Sequence, residues 1–127
     1  MSRRLFAAAL LVVALPVVPA LAGEATWVRR PAISPDGSQI AFEYQGDVYV
    51  VPSAGGAARA VTTHVGRERN PVWSPDGATL AFASDRHGNL DVFSVPAAGG
   101  PDTRLTFHSA DDVPTAFTRD GRGVLFV

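Results

Sequence analysis

Few side chains in this sequence are of a type that could do chemistry. The histidines are His64, His87 and His108, and no His-Glu-x-x-His spacing, the mark of a zinc hydrolase helix, occurs. Ser34 and Ser74 lie in Ser-Pro-Asp-Gly turns with no base beside them, and no Gly-x-Ser-x-Gly elbow is present. The paired glycines Gly55-Gly56 and Gly99-Gly100 follow prolines and read as hairpin turns, not as phosphate loops opening a helix. The absence of cysteine excludes disulfides, thiolate metal sites and a thiol nucleophile. Asp85-Arg86-His87 is read as a polar turn held by an Asp–Arg contact, and Asp111-Asp112 as a solvated acidic loop. His64 and His108 are 44 residues apart, which points to a repeated loop contact rather than to ligation. No catalytic residue, metal ligand or cofactor-binding residue is assigned.

The elements that carry these residues recur. Arg30 to Phe42 reads R-P-A-I-S-P-D-G-S-Q-I-A-F, and Asn70 to Phe82 reads N-P-V-W-S-P-D-G-A-T-L-A-F. Thr115 to Phe126 is a worn third copy, in which Arg119 stands where the repeat has proline. Asp36 and Asp76 are 40 residues apart, and Asp76 and Asp120 are 44 apart. Asp47-Val48-Tyr49-Val50-Val51-Pro52 likewise returns as Asp91-Val92-Phe93-Ser94-Val95-Pro96. A period of this length, built from short strands, marks a β-propeller with one blade per repeat.

The expected fold is therefore all-β: two four-stranded antiparallel blades, over about residues 27–63 and 69–107, and the start of a third over 113–127. Within each blade the four strands are separated by turn signals: roughly Trp27–Ser34, Gln39–Tyr44, Asp47–Pro52 and Arg59–Thr63 in the first, and Asn70–Ser74, Thr79–Ser84, Asp91–Pro96 and Thr103–Phe107 in the second. Ser34-Pro35-Asp36-Gly37 and Ser74-Pro75-Asp76-Gly77 are structural turns, and Asp120-Gly121 keeps the turn in the third copy. Proline presets φ for the first corner, Asp bonds the local backbone, and Gly takes the left-handed conformation. Ile40-Ala41-Phe42, Leu80-Ala81-Phe82 and Val124-Leu125-Phe126 are continuous apolar runs, which suits strands covered on both faces. Trp73, with Ile33 and Phe117 at the equivalent positions, is expected to fill the layer between blades.

Residues 1–22 read as a secretory signal peptide. Arg3 and Arg4 form the charged start, Leu5–Val18 is apolar, and Ala20-Leu21-Ala22 offers a cleavage site after Ala22. Arg3-Arg4 also fits a twin-arginine export signal. The mature part, 23–127, is then expected in the periplasm or outside the cell, with no membrane attachment. It holds nine arginines, no lysine and twelve acidic residues. That mild acidity argues against a nucleic-acid partner, which needs a basic face. Arg29-Arg30 and Arg67 with Arg69 are the basic clusters, each read as solvated surface.

Ser-Pro-Asp-Gly, Leu/Ile-Ala-Phe and Ala-Gly-Gly resemble PD40, or TolB-like, propeller repeats over about residues 27–127. Thr63 to Trp73, and Arg104 to Asp112 running into Ala116-Phe117-Thr118, are similar to the first blades of exported tricorn-protease homologues, which are serine peptidases. That resemblance implies a propeller that gates or docks peptides, with the nucleophile in a separate downstream domain. None of the family's catalytic residues falls in this stretch. Two alternatives stay open: a non-catalytic TolB-like propeller contacting envelope proteins, and the propeller of another hydrolase such as a prolyl-oligopeptidase-like enzyme. Propellers close with about four to eight blades, so further blades are expected beyond this sequence, and the resemblance implies a catalytic domain there too.

Overall fold

The computed structural model describes residues 27–127. The signal peptide expected over residues 1–22 lies outside the described residues. Ten strands follow: β1 (Arg29–Ile33), β2 (Gln39–Tyr44), β3 (Asp47–Pro52), β4 (Arg59–Ala60), β5 (Glu68–Trp73), β6 (Thr79–Ser84), β7 (Asp91–Pro96), β8 (Thr103–Arg104), β9 (Pro114–Phe117) and β10 (Val124–Phe126). They form two four-stranded antiparallel sheets, β1-β2-β3-β4 and β5-β6-β7-β8, and a two-stranded sheet, β9-β10. The fold is an all-β, incomplete propeller: blade I, blade II, and the first two strands of blade III.

Local chemistry sets the boundaries. Each β1–β2-type hairpin closes through one hydrogen-bonded device that appears three times. Ser34 Oγ donates to Asp36 Oδ1 at 2.6 Å and accepts the Gln39 amide at 3.0 Å. Ser74 does the same with Asp76 (2.6 Å) and the Thr79 amide (2.9 Å). Thr118 takes the serine's place with Asp120 (2.6 Å) and the Gly123 amide (2.9 Å). Gly37, Gly77 and Gly121 sit at φ of 73°, 70° and 71°, a region that glycine enters without the penalty a Cβ brings. These bonds favour the ionised aspartates, and the Ser34 hydroxyl is the main cause that lowers the Asp36 carboxyl to about 2. Asp76 and Asp120 are lowered too, chiefly by Ser74 and Thr118.

Packing between blades makes the core. Ala41, Val48, Val50 and Val61 of blade I meet Leu80, Phe82, Phe93, Val95 and Ala97 of blade II in one buried cluster. Blade II is the covered one: Leu80 to Ser84 of β6 is fully buried, because blade I packs on one face and β9 on the other. Burying each large apolar side chain of this kind stabilises by about 1.5–3 kcal/mol. Trp73 packs against this cluster and donates Nε1–H to the Ala32 carbonyl across the blade boundary at 2.8 Å. The turns meet as well. A methyl group added at Gly77 would lie 3.7 Å from Pro35 Cδ, and one at Gly121 would lie 3.6 Å from Pro75 Cδ.

The structure departs from the sequence expectation in three places. Ile33 does not fill a layer between blades; it is 64% exposed, because it lies on the face of β1 that no described sheet covers. Strands β4 and β8 are two residues each, shorter than the runs through Thr63 and Phe107. There the Thr62 and Thr106 hydroxyls accept the Val48 and Val92 amides at 2.9 Å, so a side chain replaces the next ladder bond. Asp112, expected in a solvated loop, is 3% exposed, since its amide bonds the Leu90 carbonyl and pulls the β8–β9 connection onto blade II.

Candidate functional site

The residues with chemical potential do not converge. His64 Nδ1 accepts the Gly66 amide at 3.2 Å within the β4–β5 connection. His108 Nε2 lies 3.1 Å from Asp112 Oδ2 within the β8–β9 connection. That approach is close enough for an ion pair but is not aligned as a hydrogen bond, and it leaves Asp112 Oδ2 otherwise without a partner. His87 is exposed and stacks on Phe93, 6.1 Å between centroids. Each histidine therefore belongs to its own connection or loop. Among the described residues no group of three or more His, Cys, Asp or Glu comes together to hold a metal. The turn residues Ser34, Pro35, Asp36, Gly37, Ser74, Pro75, Asp76, Gly77, Asp120 and Gly121 all lie at one end of the sheets, in the hairpins described above.

Arg86 is the largest surprise. It does not contact Asp85, whose carboxylate instead accepts the Arg67 amide at 2.7 Å. The Arg86 guanidinium turns inward, 6% exposed, and its Nη2 bonds both oxygens of Glu68 at 2.9 Å. Nη1 bonds Asp102 at 2.7 Å, Nε bonds Ser84 Oγ at 2.9 Å, and the group lies 4.3 Å from the Phe93 ring centre. Burial lifts the Glu68 carboxyl above its usual value, against the pull of Ser84 and Arg86. Backbone follows side chain: a Cβ on Gly66 would stand 2.8 Å from Arg86 Cβ and 3.0 Å from its amide nitrogen. Arg86 thus pins β5, the β6–β7 loop, the approach to β8 and the β4–β5 connection together. Its four extra loop residues, relative to blade I, are what make room for this pin.

Two clefts open on opposite sides. One, of about 570 Å³, separates blade II from β9 and β10 and is lined by Val92, Leu105, Phe117, Val124 and Phe126. The other, of about 660 Å³, lies at the sheet ends away from the Ser-Pro-Asp-Gly turns, between the β2–β3 hairpin and the starts of β1 and β5. It is lined by Trp27, Tyr44 and Gln45 together with Arg29, Arg30, Arg67 and Arg69. The two basic clusters, 37 or more residues apart in sequence, meet here because β5 packs beside β1.

Residues 25–127 match the family model of the tricorn protease N-terminal beta propeller domain. The chain belongs to that family. Among curated proteins, this tricorn-type propeller is 43% identical over 54 residues to a protein TolB homolog of Chlorobium luteolum, covering 42% of this chain and 12% of that protein. Among solved structures, a putative TolB from Agrobacterium tumefaciens superposes with a TM-score of 0.72 at 30% identity, covering 82% of this chain and 39% of that one. The crystal structure of the tricorn protease superposes with a TM-score of 0.65 at 22% identity, covering 74% of this chain and 10% of that one, and shows the same fold. The tricorn-type propeller thus spans less than half the length of each of these relatives.

Proposed function

We propose that this propeller section docks peptide or protein chains for an exported tricorn-like serine peptidase and performs no bond cleavage itself. The observation that carries the reading is the family match over residues 25–127, joined to a fold whose histidines each stay within a separate connection or loop. Serine hydroxyls at Ser34 and Ser74 are spent on aspartates and backbone amides in turns, so neither has a free base to activate it. Export, with residues 1–22 as the signal, a periplasmic or secreted location, and further blades with a peptidase domain beyond this sequence are part of the same proposal.

A second reading has its own support: the TolB-like likeness covers 82% of this chain at 30% identity, which favours a non-catalytic propeller that binds envelope proteins. One experiment separates the parts of the proposal. The full chain is purified, assayed against a mixed peptide library, and tested for peptide retention by equilibrium binding. Retention without turnover is expected. Any turnover that tracks the chain would overturn the non-catalytic reading, and failure to retain peptide would overturn docking.

A further inference from the structure

The cleft between the β2–β3 hairpin and the starts of β1 and β5 has properties that surface alone does not explain. Four arginines line it against two glutamates, Glu43 and Glu68, in a chain that is acidic overall. Both glutamates are already used. Glu43 accepts the Asn70 amide at 2.6 Å and lies 3.6 Å from Arg30. Glu68 is bound by Ser84 and Arg86, which approach from behind the cleft. Arg30 is held by Glu43 and by Asn70 Oδ1. Among the described residues, no carboxylate comes within ion-pair distance of Arg67 or Arg69.

Backbone geometry singles out the same place. The non-glycine residues at positive φ among the described residues are Trp27 (75°), Arg30 (48°), Gln45 (52°) and Asn70 (53°). Three of them line this cleft, and the fourth holds Arg30. Each such residue holds backbone strain, and strain of this kind concentrates where a site must be preorganised. Here the bulges at Arg30 and Asn70 break the ladder registers of β1 and β5 and splay the strand starts around the opening.

We infer that this cleft is a binding site for an acidic peptide segment, its glutamate or aspartate side chains taken by Arg67 and Arg69. Guanidinium forks match carboxylates two bonds at a time. Trp27, 78% exposed at the rim, and Tyr44 supply flat apolar contact for the peptide's remaining atoms. The inference rests on the docking reading and names the chemistry of the docked chain.

The test is calorimetric titration of the full chain with a short, end-blocked glutamate-rich peptide, its glutamine counterpart, and inorganic phosphate. The glutamate peptide is expected to bind, more weakly as salt rises, with the glutamine peptide about tenfold or more weaker. Arg67→Gln with Arg69→Gln is expected to remove that preference while leaving the urea midpoint in place, since neither side chain holds a structural bond. Equal binding of both peptides would overturn the acidic inference and leave docking standing. No binding of either would overturn both, and phosphate displacing the peptide at matched concentration would reduce the site to a simple anion hole.

Discussion

Replacing Arg86 by methionine tests the central packing claim about blade II. Methionine keeps an unbranched apolar stem against Phe93 but removes three partners at once: Glu68, Asp102 and Ser84. The Glu68 side chain is 0% exposed, so the substitution strands a carboxylate with only the Ser84 hydroxyl at 2.8 Å. Removing one partner of a buried pair typically costs about 3–5 kcal/mol, a large share of the roughly 5–15 kcal/mol by which a domain is stable. The pH dependence follows from the sign of the shift. Burial already holds the Glu68 carboxyl above its ordinary 4.5, and loss of Arg86 raises it further. A carboxyl raised on folding contributes stability below its unfolded value and loses it as pH rises through the folded value. The deficit of Arg86→Met is therefore greatest near neutrality and shrinks as pH falls through the acid range. Urea unfolding at several pH values measures it, and Arg86→Met with Glu68→Gln together is expected to recover most of the loss. A deficit below about 1 kcal/mol at neutral pH, as an exposed pair would give, would refute the pin. So would a double variant no better than the single one.

Gly66→Ala places a methyl group 2.8 Å from Arg86 Cβ and 3.0 Å from its backbone nitrogen, so overpacking should lower stability by about 1–3 kcal/mol, read by thermal melting. Trp73→Phe removes the hydrogen bond to Ala32 across the blade boundary and is expected to cost about 0.5–1.5 kcal/mol in urea. The Asp36 carboxyl, lowered to about 2, should titrate by NMR well below the ordinary 3.8; being depressed on folding, its contribution is present above 3.8 and fades as pH falls towards 2. Ser34→Ala should move that titration part of the way back to the ordinary range, since Ser34 is the largest cause of the shift and the Ser38 bonds remain.

The fold was legible because the repeat writes each strand twice. β2, β3, β6 and β7 follow from alternating Gly turns and apolar runs such as Ile40-Ala41-Phe42, where local pattern and burial agree. Strands β4 and β8 are shorter than their sequence suggests because Thr62 and Thr106 look like strand residues, while in space their hydroxyls end the ladder. Ile33 was misplaced for a different reason: the repeat gives it a position equivalent to that of Trp73 but says nothing about which faces have neighbours. Arg86 was read with its sequence neighbour Asp85, since charge patterning sees only what is adjacent; Glu68 and Asp102 reach it through packing. The basic cleft was hidden in the same way. Arg29-Arg30 and Arg67 with Arg69 each looked like ordinary solvated surface, and only the juxtaposition of β1 with β5 joins them.

The contact of Pro35 with Gly77, and of Pro75 with Gly121, gives the propeller a direction of travel. Each of the first two hairpins offers a ring to the blade after it, and each of the last two offers a bare backbone to the blade before it, like the two ends of a hook. A duplicated repeat can be spliced in only where both ends find their counterparts. Copies of blade II meet that demand on either side, whereas the third hairpin has Arg119 in place of the ring. Lengthening this array by gene duplication should therefore succeed from the second unit and stall from the third.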